Sequence, residues 1–389
     1  MYPLPQSLTF FCHRSKKQKT PPSAAEDLTF LISTFLIPSS NLYFLTQVHK
    51  TSNMSIDTQR DKAGFHFRED IAPGLCIETE LKGIVHSTES EYQKINVIDT
   101  FFGRTLITDG KTQSTAFDEF VYHDCLVHPS LLNFTKNAGR GPKTVFIGGG
   151  GELATAREVL RHKSVERVVM VDLDGAVVDV CVDHLQEWGG QKVKDDPRME
   201  LIIGDAYAYL LNTKEQFDVI ILDISDPIEA GPGIMLYTKE LYQHAKTLLH
   251  PNGIFVTQAG AADSIPLPHS YSEDNKDTTC FAPIRNTLAE VFGSVLPYSH
   301  NIPSFGNDWG FVMAFQSPEN QDAATLQKEW KEASAETIDE LIESSVTGGE
   351  CRLYDGETHR TMFNLSKPLR KLLANDKRVM TKENPVFMY

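Results

Sequence analysis

KTVFIGGGGELATAREVLRH, residues 143–162, decides the fold. A short apolar strand (143–148) runs into GGGGE, Gly148 to Glu152, and then into a helix predicted over 152–162. Glycines let a backbone turn sharply and approach a ligand closely at the start of a helix. Working outward, the same alternation repeats. RVVMVDLD (167–174) is read as a strand followed by a helix to Trp188, and MELIIGD (199–205) as a strand followed by Ala206 to Leu211. FDVIILD (217–223) is a strand, Thr238 to Leu249 a helix, and GIFVTQ (253–258) a strand. Continuous apolar strands alternating with helices predict an α/β protein, a Rossmann-like doubly wound and mostly parallel sheet.

Either side of this unit the pattern changes. Residues 64–115 carry short β-type runs at 75–86, 92–99 and 104–109, and Asp109-Gly110 turns TLIT into KTQS as a hairpin, so a small antiparallel β domain is expected there. A helix is expected over Phe117 to Leu132, a further helix over 282–292 and a strand over 309–316, which places a catalytic domain at 116–325. Residues 326–389 form a charged, mainly helical extension with an irregular YDGETH centre. Residues 1–63 read as a disordered or targeting extension. Leu28 to Leu45 is apolar but interrupted by Pro38, so a cytoplasmic protein is expected and organelle targeting by residues 1–53 is kept open.

The chain of 389 residues has 52 Asp+Glu against 37 Lys+Arg, a formal net charge of −15. Five basic and two acidic residues fall in 1–53, which leaves 32 basic and 50 acidic residues beyond it, near −18. Such a field repels nucleic-acid phosphates and suits a cationic small molecule. The six cysteines include no CxxC pair, so neither a zinc site nor a disulfide framework is indicated.

Ligands of open α/β sheets bind outside the carboxyl ends of the strands. Gly149, Gly150 and Gly151 end the first strand, Asp172 the second, Asp205 the third with Ala206 behind it, and Asp223 and Asp226 the fourth in DISDP. A carboxylate at Asp172 could bind ribose hydroxyls and one at Asp205 an adenine amine, so an adenosine ligand is expected. The glycine pattern alone does not separate a nicotinamide dinucleotide from an S-adenosylmethionine-type nucleoside. Two carboxylates three residues apart are costly unless a cation or hydrogen-bond donors compensate them, and Asp118-Glu119 adds two more at a helix start. If these converge, they make an acid-lined pocket for ammonium groups beside the nucleoside.

The ordered motifs GRTLITDGKTQSTAFDEFVYHDCLVHPSLL (103–132), VFIGGGGELATAREVLRH, VVMVDLD, GDAYAYL, FDVIILDISDP and GIFVTQAG resemble those of the polyamine aminopropyltransferases, the spermidine and spermine synthase family, over about 64–375. The spacer DPIEAGPGIMLYT, PSFGNDWGFVMA (303–314) and LYDGETHRTMFNLSKPLRKLL (353–373) are similar to the plant-type thermospermine synthases. The resemblance implies transfer of the aminopropyl group of decarboxylated S-adenosylmethionine, a co-substrate, to an amine of spermidine. The products would be thermospermine, or spermine, and methylthioadenosine, with no metal or other cofactor. It implies Asp223 as general base with Tyr92 helping to position or deprotonate the amine, and Asp118 on the donor's ammonium. Gln93, Gln113, Gly149 to Gly151, Glu152, Asp172, Asp205 and Ala206 would form the donor site, and Asp226, Gln258, Phe305 and Trp309 the acceptor site. A homo-oligomer, dimer or tetramer, is implied. Departures are Gly148, a fourth glycine; Leu153, where a glycine or small residue is common; Phe305, where spermidine synthases tend to carry tyrosine; and a loop at 261–280 some ten residues longer than usual. A spermidine synthase using putrescine is the alternative. An S-adenosylmethionine methyltransferase, a Rossmann dehydrogenase and a non-catalytic polyamine-binding relative are more remote ones.

Overall fold

The computed structural model describes residues 64–229, 231, 233–268, 278–316 and 322–388. The expected N-terminal extension, and residues 269–277 of the insertion at 261–280, lie outside the described residues.

Strand β1 (His66–Ala72) pairs antiparallel with β2 (Leu75–Glu80) as a separate ribbon. β3 (Gly83–Glu89), β4 (Lys94–Thr100), β5 (Gly103–Thr108) and β6 (Lys111–Thr115) form a four-stranded antiparallel sheet in that order. The expected hairpin is present: Thr108 pairs with Lys111, and Asp109 and Gly110 both take positive φ, 48° and 81°, as a tight two-residue turn requires. The run 75–86 is not one strand. It breaks at Leu81-Lys82, and its halves belong to two sheets, with the Lys82 N–H held by the Asp99 carbonyl.

Helix α1 (Glu119–Ala138) is longer than the sequence pattern suggests and carries Pro129 inside it. A proline there removes the hydrogen bond to the carbonyl four residues earlier. That carbonyl, of Cys125, accepts instead from the hydroxyl of Tyr298 at 2.9 Å.

The second sheet follows: β7 (Thr144–Gly149), α2 (Ala154–Leu160), β8 (Arg167–Asp172), α3 (Gly175–His184), α4 (Gly190–Lys194), β9 (Met199–Ile203), α5 (Ala206–Asn212), β10 (Phe217–Asp223), α6 (Lys239–Thr247), β11 (Leu249–Ala261), α7 (Phe281–Phe292), β12 (Val295–Ile302) and β13 (Asn307–Phe315). Its order is β12-β13-β11-β10-β7-β8-β9. β11, β10, β7, β8 and β9 run parallel, while β13 and β12 are antiparallel additions. The expected doubly wound architecture is therefore present, with a mixed edge. β10 is buried along all but its last residue, which explains its unbroken apolar reading. The expected helix at 238–249 stops at Thr247, because Leu249 already pairs with Phe217 as the first residue of β11. β12 was not expected.

The C-terminal segment is helical as expected: α8 (Ala323–Lys331), α9 (Ala335–Ser345), α10 (Gly356–Met362) and α11 (Lys367–Asn375). The YDGETH centre is less irregular than its composition, since the Asp355 side chain accepts from the Thr358 N–H and starts α10.

Candidate active site

The glycine run is fixed by what lies against it. A Cβ on Gly149, whose φ is +80°, would stand 2.1 Å from the Asp223 carbonyl oxygen, and one on Gly151 would stand 2.8 Å from an Asp172 carboxylate oxygen. Side chains are thus excluded where the ends of β7, β8 and β10 converge. The Gly150 N–H binds the Asp223 carbonyl at 2.9 Å and ties the loop to DISDP. Leu153 occupies the left-handed region at φ 73° and is fully buried. Few residues except glycine sit there without strain, so the preference for a small residue at this position has a backbone cause, which Leu153 overrides by burying its side chain.

Of the strand-end carboxylates, Asp172 and Asp223 lie close enough to act on one another electrostatically. Asp172 accepts from the Asp174 N–H at 2.9 Å. Burial pushes its pKa up to about 6, against the lowering effect of the Asp174 and Gly151 N–H groups, with Asp174 and Asp223 adding to the rise. Asp223 accepts from the Tyr122 hydroxyl at 2.7 Å on one oxygen and from the Thr155 hydroxyl on the other. Tyr122 is half-buried as a residue; burial of its phenol and the adjacent Asp223 hold that group well above the ordinary range, so it remains a donor.

Asp226 is linked to Gln258, whose amide donates to its carboxylate at 3.0 Å and to the Ile224 carbonyl at 2.8 Å. Burial raises the Asp226 pKa to about 6, with Gln258 and the charge of Lys111 pulling it down and Glu69 pushing it up. Lys111 itself donates to the Asp70 carbonyl. Phe305 and Trp309 pack edge-to-face at 4.8 Å, and Phe305 meets the Tyr122 ring at 6.2 Å. These contacts link the aromatic pair to the ring that holds Asp223. The indole N–H of Trp309 is buried and has no partner among the described residues.

Other expected site residues are placed differently. Tyr92 is 45% exposed on the β3–β4 turn, and the phenol that bonds Asp223 belongs to Tyr122. The Gln93 amide donates to Asp174 at 2.9 Å, and the Gln113 amide to the Lys111 carbonyl at 3.2 Å. Asp205 is exposed and accepts from the Tyr207 N–H at the start of α5, with Ala206 buried behind it. Asp118 is buried and already holds three donors: the Thr115 hydroxyl at 2.7 Å, and the Ser304 N–H and hydroxyl at 2.8 Å each. It pins the 3-10 turn Pro303–Phe305 onto the start of α1.

Glu152 is likewise occupied. His123 approaches it at 2.6 Å, and the Ser114 hydroxyl donates to its other oxygen while receiving the Trp188 indole N–H at 3.0 Å. Burial works against a charged His123, but Glu152 and Glu119 outweigh it and lift its pKa to about 10. Glu119 also takes Arg157 at 2.8 Å and Arg352 at 2.9 Å.

Further along α1, His128 bridges Asp124 at 3.3 Å and Glu158 at 3.1 Å with one ring nitrogen and reaches His162 at 3.0 Å with the other. Asp124, His128 and Glu158 have the mutual spacing of metal ligands. However, Arg157 and Arg161 already bind the Glu158 carboxylate at 2.8 and 2.7 Å, so its charge is balanced by fixed cations. Burial and the neighbouring His128 hold His162 well below its ordinary pKa, so it is the neutral acceptor of the pair.

The fold is Rossmann-like, of the methyltransferase type, with a small antiparallel β domain in front of its mixed sheet. Residues 119–324 match the spermine/spermidine synthase domain and residues 65–116 the spermidine synthase tetramerisation domain. The chain is 41% identical to a polyamine aminopropyltransferase of Sulfolobus acidocaldarius over 79% of its length and 92% of that protein's. It is 38% identical to a thermospermine synthase of Arabidopsis thaliana over 88% of its length and 93% of that protein's. The structure is similar to that of a spermidine synthase in complex with the transition-state analogue AdoDATO, with TM-score 0.66 and 26% identity over 80% of this chain and 95% of the other. The chain belongs to the polyamine aminopropyltransferase family, whose members use decarboxylated S-adenosylmethionine as co-substrate. Among the described residues no helix is long and apolar enough to cross a membrane.

Proposed function

We propose that the enzyme transfers the aminopropyl group of decarboxylated S-adenosylmethionine to spermidine and forms thermospermine in preference to spermine. The observation that carries this reading is the pair Asp223 and Asp226, whose side chains receive neutral donors rather than a salt bridge among the described residues. Ammonium groups of donor and acceptor complete such a site. The nucleoside lies at the glycine run with its ribose on Asp172 and its adenine near Asp205 and Ala206. Asp223, oriented by Tyr122 and Thr155, takes a proton from the attacking ammonium. A protonated amine has no lone pair for attack, and a carboxylate in a closed pocket can take the proton that it could not in water. The amine then attacks the methylene next to the sulfonium, the carbon–sulfur bond breaks, and the electron pair leaves with sulfur as methylthioadenosine. Holding nucleophile and methylene in line supplies much of the rate.

Asp226 and Gln258 hold the acceptor, with Phe305 and Trp309 covering its methylenes. Tyr92 acts from the rim, and Gln93 and Gln113 support the donor side from the β domain. Asp118 and Glu152 brace the walls of the donor pocket. Spermidine as acceptor is supported by the similarity to the Arabidopsis thaliana thermospermine synthase and by Phe305. The similarity to spermidine synthase structures favours putrescine as the second reading. The protein is therefore incubated with decarboxylated S-adenosylmethionine and either amine, and the products are resolved by chromatography. Thermospermine from spermidine is expected; spermine as main product, a clear preference for putrescine, or no methylthioadenosine with any amine would each reject the assignment.

A further inference from the structure

The C-terminal segment beyond α11 does not simply trail over the surface. The Asn286 amide holds the Asp376 carbonyl at 2.8 Å, the Met380 N–H reaches the Thr287 hydroxyl at 2.8 Å, and the Lys239 N–H holds the Met380 carbonyl at 2.9 Å. The Lys382 N–H then reaches Glu240 at 3.2 Å. The strap ends on the acidic loop itself, where the Met388 N–H donates to the carbonyl of Pro227, the residue after Asp226, at 2.8 Å. Val386 and Met388 are buried, at 0% and 9% exposure, in the core that also holds Ala259, Ala261 and Cys280.

Gly260 shows where the methionine points. It has φ +73°, and a Cβ built on it would lie 3.0 Å from the Met388 sulfur and 3.6 Å from an Asp226 carboxylate oxygen. The thioether and the carboxylate therefore flank one point, next to Gln258, which also binds Asp226. A polyamine is an alternation of ammonium groups and methylene runs. An ammonium needs a carboxylate, and the adjoining methylenes need an apolar surface that tolerates several conformations. A methionine side chain is unbranched and adaptable enough to provide one.

We propose that Met388 is a specificity-determining residue for the acceptor. Its thioether is the apolar wall for the methylene run adjoining the ammonium on Asp226, and its N–H–Pro227 bond sets the height of that carboxylate. This rests on the reading of Asp226 as the acceptor's ammonium site.

The test uses the full chain with decarboxylated S-adenosylmethionine, measuring methylthioadenosine release with spermidine and with putrescine for the wild type and for Met388→Ala, Met388→Leu and Val386→Ala. Met388→Ala should raise KM for spermidine about tenfold and change the spermidine-to-putrescine preference, since a lost methylene-sized contact is worth that much. Its kcat and its KM for the donor should stay within about twofold, as only the wall next to Asp226 changes. Met388→Leu should restore most of the loss. Val386→Ala, which removes a buried group of the same strap, should lower the melting temperature but leave KM for the acceptor unchanged. Unchanged acceptor KM and preference in Met388→Ala, or equal losses in kcat and donor KM, would overturn the proposal while leaving the enzyme reading intact. A wild type that releases no methylthioadenosine with any amine would instead overturn the enzyme reading and this proposal with it.

Discussion

Two groups of buried or half-buried carboxylates sit within the same domain and are shifted in opposite directions. Glu119 and Glu158, on α1 and α2, face His123, His128, Arg157, Arg161 and Arg352. Burial works to raise both, but these fixed cations outweigh it, and Glu119 is held down to about 2 with Glu158 lower still. Asp172 and Asp226, at the strand ends, receive backbone or amide donors, and burial lifts both to about 6. The residue types are nearly the same and the burial comparable. What differs is whether the protein supplies the counter-charge. Where it does, the acid belongs to the scaffold; where it does not, the acid is left for a ligand, in the proposed reading ribose hydroxyls at Asp172 and an ammonium at Asp226.

Four changes would break or sharpen that contrast, from the largest expected effect to the smallest. Asp223→Asn keeps the side chain's shape and can still accept from one of the Tyr122 and Thr155 hydroxyls, the other turning to accept from the amide, but it cannot take a proton. It should lower kcat by about 10²–10⁴-fold, read as methylthioadenosine release, with little change in melting temperature. Glu158→Gln takes from Arg161 its carboxylate and leaves His128 and Arg157 only their second partners, Asp124 and Glu119; it should cost about 3–5 kcal/mol of stability in a denaturant titration, with turnover per folded molecule changed far less. Asp118→Ala orphans the Ser304 and Thr115 donors and should cost about 1–3 kcal/mol, with KM for the acceptor rising because the turn that carries Phe305 loosens. The smallest effect is on the pH dependence of stability. The folded pKa of His123 is raised to about 10 from an ordinary 6.5, so its stabilisation is fully present below pH 6.5 and lost as pH rises through about 10. Melting temperatures of the wild type between pH 7 and 10 should fall more steeply than those of His123→Gln.

The sequence carried the parallel sheet because its strands are buried on both faces, and an unbroken apolar run bounded by glycines or acids is hard to misread. β12 escaped for the opposite reason. VLPYSHNI is half polar and contains Pro297, which a strand tolerates at the sheet's edge, where this one lies. The split of 75–86 into two strands was marked only by Gly83, which follows the break and opens β3.

In the site, Asp172, Asp223 and Asp226 were legible because chain order alone puts strand ends side by side. The partners were not, since they come from helices. Tyr122 had one available signal: it stands four residues after Asp118, on the same face of α1, which the start of the helix directs at the sheet. Thr155 lies in the first turn after the glycine run, where a hydroxyl reads as ordinary helix chemistry. His123 could not have been paired with Glu152 from spacing, because 29 residues and two elements separate them in the chain. That pairing makes Glu152 a brace for the loop.

The contrast is tested most directly by the pH dependence of spermidine affinity, measured by calorimetry between pH 5 and 8 with methylthioadenosine in the donor site. The amines of spermidine stay largely protonated over that range, as an ordinary alkylammonium does below its pKa of about 10, so the titrating groups belong to the protein. Affinity should rise as pH increases through about 6, where Asp226 ionises, and Asp226→Asn should remove most of that rise. Affinity that is independent of pH in the wild type, or a rise that survives Asp226→Asn unchanged, would contradict the assignment of Asp226 as the acid that awaits the acceptor.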